Sequence, residues 1–250
     1  MRLYFPFLLV TLLLYSCGKP GSDKGAYSYP GSGAEWETEA VPGSPQQTKP
    51  IYSNQPRPAI SQAGSLSPTV YYVPKIQADG ARSAGCGLAS AGDWQICETA
   101  FRDCLLQGSC FIGMGESWRY FMRAGKAEAL RARSPGRCRF GVGFGACLIP
   151  NVSVAADLSV HKIGDMIYVP DLDGRNVPYI GKHDGFLVVH DKGGSIIGEN
   201  RFDIFTGHKG LKDPDNALAR WGYGEKTRAF SFVKLSQAEA IAVKREKGIQ

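Results

Sequence analysis

Apolar residues are spread unevenly along the chain, and their spacing divides it into parts of different character. A continuous apolar run extends from Phe5 to Tyr15. Residues 18–66 carry no apolar periodicity at all. Further on, Cys97, Ala100, Phe101, Cys104 and Leu105 recur at helical spacing, and Asp93 stands where an N-cap would. From residue 140 the texture is that of strands. "DMIYVP" (165–170), "GFLVVHD" (185–191), "NRFDIF" (200–205) and "TRAFSFVKL" (227–235) are short and rich in β-branched and aromatic residues. Gly, Pro, Asp and Asn clusters separate them, and such spacing predicts a sandwich or small barrel. "TVYYVPK" (69–75) reads as one more strand, set apart ahead of a cysteine-rich stretch. It is expected to join the same barrel. The expected division is therefore a mainly β barrel from 67–79 and 140–235, a cysteine-rich helical insertion at 80–139, and a terminal helix at 236–250. Ser236 and Glu239 supply a capping box for that last helix.

The N-terminal parts read as address and tether. One early positive charge and about eleven apolar residues have the layout of a secretory signal, too short to span a bilayer as a mature helix. The run ends Leu14-Tyr15-Ser16-Cys17-Gly18, which resembles a bacterial lipoprotein cleavage box. Cys17 is then expected to be the lipidated N-terminus, the alternative being an ordinary signal peptide that holds a cysteine. Gly18, rather than Asp, favours an outer-membrane lipoprotein facing the periplasm. Residues 18–66 are rich in Gly, Ser, Pro, Gln and Lys, too polar to offset the entropy of ordering. They are expected to form a disordered tether with a reach of roughly 40 Å.

The six cysteines beyond Cys17 all lie between residues 86 and 147: Cys86, Cys97, Cys104, Cys110, Cys138 and Cys147. An even number in an exported chain reads as disulfides, with the pairing open. Cys97–Cys104 is excluded if both sit in one helix, because about 10 Å would separate their Cα atoms. Cys138 and Cys147 flank "RFGVGFGA", a possible hairpin, so that pair is plausible. Their spacings are not those of a metal site, and no cofactor is implied. The net charge of +6 is modest, and much of it sits in Arg119, Arg123, Lys126, Arg131, Arg133, Arg137 and Arg139. This run is either a solvated basic face or a surface for an anionic polymer or lipid headgroup. No aromatic-interleaved nucleic-acid module is present, so nucleic acid is not an expected partner.

The candidate chemistry lies in "AADLSVHKIGDMIYVP" (155–170) and "HDKGGSIIGENRFDIFTG" (190–207). Together they resemble the 3D (Asp-Asp-Asp) domain, the barrel shared with the membrane-bound lytic transglycosylase A family. Asp157 precedes Gly164 by the family interval, "DKGGSIIG" (191–198) matches the glycine motif, and "RFDIFTG" (201–207) matches the last motif. The three aspartates are then Asp157, Asp191 and Asp203. Lys192, Ile197 and Leu158 depart from the family's Thr, Lys and Pro. Lys192 places a cation beside Asp191, which favours the ionised carboxylate.

The resemblance implies a six-stranded double-psi β-barrel that cleaves peptidoglycan between N-acetylmuramic acid and N-acetylglucosamine, leaving a 1,6-anhydro end. In that chemistry the nucleophile is the substrate's own C6 hydroxyl. One carboxyl therefore suffices as acid and then base, where an ordinary glycosidase needs two. Asp203, set among Phe202, Ile204 and Phe205, is the expected acid, raised by desolvation and by its acidic neighbours. Asp191 and Asp157 would orient the sugar and stabilise cationic charge, or cap a turn and a strand end. Gly193 and Gly194 permit close backbone approach, or only a turn. Lys192 and Arg201 are further candidates for substrate contact. Tyr72, Tyr168 and Trp221 offer faces for stacking on sugars, or ordinary packing. Asp165, Asp171, Asp173 and Asp184 read as solvated turn residues. A non-catalytic wall-binding or assembly lipoprotein on the same barrel is the alternative, and a hydrolysing glycosidase a weaker one. Expected partners are the glycan strands, the membrane through the lipid anchor, and a cell-wall protein through residues 80–139.

Overall fold

The computed structural model describes residues 52–59, 64–79, 85–224 and 228–249. The leader, Cys17 and most of the expected tether lie outside the described residues. Among the described residues, no helix is long and apolar enough to cross a membrane. Strand β1 (Gly64–Tyr71) comes first. Then follow β2 (Lys75–Gln77), β3 (Leu88–Ala91), β4 (Trp94–Cys97), α1 (Glu98–Gln107), β5 (Ser109–Met114), β6 (Ser117–Arg123) and β7 (Leu130–Arg133). The next elements are β8 (Ser153–Ala156), β9 (Met166–Tyr168), a small hairpin of β10 (Asn176–Val177) and β11 (Gly181–Lys182), and β12 (Phe186–Lys192). The chain closes with β13 (Arg201–Phe205), α2 (Ala217–Arg220), β14 (Phe230–Lys234) and α3 (Gln237–Lys247).

Six strands close into a barrel in the order β1-β13-β8-β12-β9-β14. Two of its pairings, β1–β13 and β12–β8, are parallel. A parallel pair needs a long crossover, and the chain between β1 and β13 carries the second sheet and α1. Leu66, Val154, Met166, Ile167, Leu187, Val188, Phe202 and Ile204 are among the residues that fill the core, each fully buried. Each such side chain contributes about 1.5–3 kcal/mol. Gly64 lets β1 approach β14 closely, because a Cβ there would lie 2.8 Å from the ring of Phe232.

The first strand of the barrel runs earlier than its sequence pattern suggests. It starts at Gly64, inside the stretch expected to be tether, and ends at Tyr71. Lys75 belongs to β2, in another sheet. Pro74, with no N–H to give a ladder, stands where the chain leaves the barrel, and its carbonyl accepts from Phe111.

The cysteine-rich segment is more β than helical. It holds a four-stranded sheet in the order β2-β5-β6-β7, a β3–β4 hairpin and one ten-residue helix, α1. Asp93 does not cap that helix. It lies in the hairpin turn beside Gly92, whose φ is +59°, and α1 begins only after Cys97. Trp94, Ile96 and Cys97 are buried while Gln95 is exposed, so this stretch is spent on a strand first. The disulfides are Cys86–Cys97, Cys104–Cys110 and Cys138–Cys147. The sheet has two apolar faces. Cys110, Ile112, Phe121 and Leu130 cluster with Cys104 of α1. Tyr120, with Phe111 and Met122, packs on Tyr71, Leu148, Ala155 and Phe205 of the barrel side.

Residues 52–59 also differ from a free tether. The N–H of Ser53 donates to Asp184 (2.9 Å) and its hydroxyl to Glu246 (2.9 Å). Tyr52 donates to Asp173 (3.0 Å), and Arg57 pairs with the same carboxylate at 2.7 Å. These are polar attachments, which a reading based on apolar content does not see. They also correct the reading of two aspartates as solvated turn residues. Asp173 further accepts from Tyr168 (3.0 Å). Asp184 is only 1% exposed and takes the ammonium of Lys247, itself 4% exposed. Removing one partner of such a pair strands the other charge in a dry site. Asp184→Ala is expected to lose about 3–5 kcal/mol of stability, read from urea unfolding. An unchanged midpoint would contradict the role given to this pair.

Candidate active site

Strand register builds the site. Thr69 on β1 is the partner of Asp203 on β13. Asp203 is the partner of Ala155 on β8, and Ala155 that of Asp191 on β12. Cross-strand partners share a face of the sheet, so Thr69, Asp203, Ala155 and Asp191 form one row across four adjacent strands. Neighbouring strands lie about 4.8 Å apart, which sets the two acidic backbones about 10 Å apart. Only the methyl of Ala155 stands between them. Asp191 reaches this row through a bulge: Val189 pairs with Val154, and the next pairing skips to Asp191. In an unbroken ladder His190 would face Ala155, and Asp191 would point to the other side.

The two carboxyls have unequal surroundings. Asp203 is pushed up to about 6, first by burial and then by the charge of Asp191, against a Thr69 hydrogen bond and the charge of Arg201. Its Oδ1 is buried and has no hydrogen-bond partner. Asp191 is also pushed up to about 6, by burial. It is better served, accepting from the N–H of Lys192 (2.9 Å) and the hydroxyl of Tyr71 (3.3 Å). Two carboxyls that repel each other titrate as a pair. Of the two, Asp203 has the fewer hydrogen-bond donors. Tyr71 is held neutral, its pKa raised well above the ordinary value by burial and by both acids.

The Cys138–Cys147 loop lies against this row. Phe144 donates its N–H to the carbonyl of His190 (2.8 Å). Gly143 packs so tightly that a Cβ would collide with that carbonyl and come within 3.2 Å of the Cβ of Asp191. Val142 bridges to Cys147 and donates to the hydroxyl of Tyr120 at 3.2 Å. The ammonium of Lys192 stands 4.6 Å from the ring centre of Phe144.

The third aspartate has another setting. Asp157 follows the end of β8 and accepts from the Ser159 N–H (2.9 Å), the Ser159 hydroxyl (2.7 Å) and the Gly198 N–H (2.8 Å). Those donors, Gly198 first, hold its pKa below the ordinary carboxylate value. It is an ionised anchor between the end of β8 and the loop that contains Gly193 and Gly194. A Cβ on Gly193 would collide with the Ile196 side chain, whereas Gly194 faces open space. Arg201, beside Asp203, donates to the carbonyl of Ser67 (2.6 Å).

The expected stacking residues are placed elsewhere. Tyr168 is 5% exposed, its ring on Phe186 and its hydroxyl on Asp173. No face is left open for a sugar. Trp221 packs against the barrel core with Arg175 over its ring at 4.6 Å. Tyr72 donates to the carboxylate of Asp103 on α1 (2.8 Å). Its neighbour Tyr71 is the one that meets the acids. Tyr71 and Thr69 were absent from the candidates because sequence alternation marks two faces of a strand without saying which one looks at the site. A larger recess of about 450 Å³ lies in the cysteine-rich segment, lined by residues including Asp79, Asp93, Trp94 and Met114. None of the three motif aspartates lines it.

A carboxyl whose folded pKa is raised from 3.8 to about 6 adds stability that is complete at low pH and lost as pH rises through about 6. Asp203→Asn is therefore expected to melt at a higher temperature than the wild type at pH 7.5. The advantage should vanish near pH 4. A lower melting temperature at pH 7.5 would contradict the assigned environment.

A family model described as the 3D domain matches residues 152–233. No curated protein matches the chain. Among solved structures, the chain is similar to E. coli MltA with bound chitohexaose, at 18% identity, covering 68% of this chain and 71% of that one, with a TM-score of 0.45. It is similar to a membrane-bound lytic murein transglycosylase from Agrobacterium tumefaciens, at 14% identity, 70% and 75% coverage and a TM-score of 0.47. It is also similar to the lytic transglycosylase LtgG of Burkholderia pseudomallei, at 14% identity, 70% and 73% coverage and a TM-score of 0.39. The matched residues run from the start of β8 to β14 and contain Asp157, Asp191 and Asp203. The likeness to the 3D domain is thus carried by residues 152–233, the part of the chain that holds all three motif aspartates.

Proposed function

We propose that this protein is a lytic transglycosylase of peptidoglycan. The observation that carries the reading is the pair Asp191 and Asp203, on one face of the barrel and unequally supplied with hydrogen-bond donors. Asp203 holds the proton. It gives that proton to the glycosidic oxygen between N-acetylmuramic acid and N-acetylglucosamine as the C1–O bond breaks. The C6 hydroxyl of the same muramic sugar then bonds to C1, and its proton returns to Asp203. No water enters, and a 1,6-anhydro end is left. Asp191 stays ionised, stabilises positive charge developing at C1, and keeps the pKa of Asp203 high. Its hydrogen bonds from Lys192 and Tyr71 make it a poor base for activating water. Asp157, occupied by Gly198 and Ser159, serves by fixing the glycine loop.

The leader belongs to the same proposal. With Cys17 lipidated, the chain would act from the outer membrane on the facing cell wall, in wall remodelling. Residues 80–139 would be an elaboration of the barrel.

The test is digestion of purified peptidoglycan by residues 18–250, with mass spectrometry of the soluble products. Anhydromuropeptides are expected from the wild type, and Asp203→Asn is expected to lose at least about 100-fold in rate, as a missing general acid does. Products heavier by one water would mean hydrolysis. Sedimentation onto the wall with no products would favour the non-catalytic binding module. The pH profile offers a second check. Activity should fall as pH rises through about 6, where Asp203 loses its proton. Asp191→Asn removes a like charge, which lowers the pKa of Asp203. The alkaline limb should therefore move to lower pH, and a move to higher pH would overturn the assignment.

A further inference from the structure

The second sheet turns one face toward the acidic row, and that face is basic. Register places Lys75, Phe111, Tyr120 and Arg133 in a line across β2, β5, β6 and β7. Met122 is paired with Arg131 in the adjacent line. Partners share a face, so Arg131 and Arg133 stand on the same side as Tyr120. That side packs against Tyr71, Ala155 and Phe205, and Tyr120 holds the loop that covers the backbone before Asp191. From Leu130 to Arg139 the chain carries four arginines and no acidic residue. Arg131 and Arg133 are exposed, and neither takes part in a salt bridge among the described residues. With Arg123 and Met122 they line a recess of about 200 Å³.

Edge strands commonly carry charge to prevent pairing with another sheet. That need is met by either sign and on either face. Here the charges have one sign, lie on the face that meets the barrel, and converge on a recess. A glycan backbone is uncharged there. Its anionic groups are the carboxylates of the peptides borne on its muramic sugars. A peptide of three residues spans about 10 Å, the width of two neighbouring strand spacings, and Tyr120 and β7 are adjacent in the sheet.

We propose that the Arg131–Arg133 face of the second sheet binds the carboxylates of these stem peptides, so that peptide-bearing strands are preferred over peptide-stripped ones. The proposal rests on peptidoglycan being the substrate. Binding is measured first, by co-sedimentation of the Asp203→Asn form of residues 18–250, which does not consume the material. Intact wall is compared with amidase-stripped glycan, which has lost the peptide carboxylates and keeps only the freed lactyl carboxylate at each muramic sugar. The Arg131→Gln/Arg133→Gln double variant is expected to reduce the intact-to-stripped affinity ratio about tenfold, as loss of two charge-assisted contacts would. The same ratio should fall as salt is raised. Arg102→Gln/Lys212→Gln, which removes equal charge elsewhere, should leave the ratio as it was. In the active enzyme the double variant should raise KM on intact wall rather than lower kcat.

An intact-to-stripped ratio unaffected by the double variant overturns the proposal, as does an equal loss on both materials. Binding of the double variant lost instead from vesicles containing anionic lipid, with the ratio unmoved, would assign the face to a membrane and also overturn it. If the ratio falls as expected while no anhydromuropeptides are formed, the proposed reaction fails and the peptide-reading face stands.

Discussion

The site depends on one irregularity in one ladder. The bulge on β12 between Val189 and Asp191 rotates a carboxylate onto the face that carries Asp203. A regular strand would have offered His190 to Ala155 and turned Asp191 away. A bulge leaves backbone groups without ladder partners, and the freed carbonyl of His190 is taken by the N–H of Phe144. Gly143 allows the approach, and the Cys138–Cys147 bond closes the loop that makes it. The cysteine-braced part of the molecule is thus mechanically connected to the placing of an acid in the barrel.

Two half-buried carboxyls on one face, one of them with a buried oxygen lacking any donor, weaken the fold at neutral pH. Such local cost is what a site pays when it must hold a proton for chemistry. The surrounding structure is built to tolerate it. The barrel core is filled, three disulfides brace residues 86–147, and a buried Asp184–Lys247 pair ties the terminal helix to the barrel wall and to Ser53. The same constraint explains the division among the acids. Asp157 receives three donors and anchors a loop, Asp191 is served by Lys192, Tyr71 and Phe144, and Asp203 is served by Thr69 with one oxygen left bare.

The placing of the β7 arginines relative to the acidic row follows from topology. The acids stand on the barrel, and the arginines of β7 stand on a sheet inserted between its first and second strands in sequence. The connection from β1 to β8 carries that sheet and packs it beside the acidic row. A substrate with neutral sugars and acidic branches matches that separation.

Much of this protein was legible before its coordinates. The alternation around Val188 and Phe202, the glycine motif and the three ordered aspartates are local patterns, and local patterns survive translation into strands and turns. The capping box of α3 formed as read, for the same reason. What the linear pattern could not decide is which groups face each other. Tyr71 and Tyr72 are equivalent as neighbours in a strand, yet only one looks at the acids. Asp157 and Asp203 look alike as motif members, yet one accepts from two N–H groups and a hydroxyl and the other is nearly bare. The Ser53–Arg57 attachments and the Asp184–Lys247 pair join residues more than sixty positions apart. Composition and spacing determine which elements form. Register, a bulge and the packing of one sheet on another determine which charges meet, because those interactions depend on distances that the chain order does not contain.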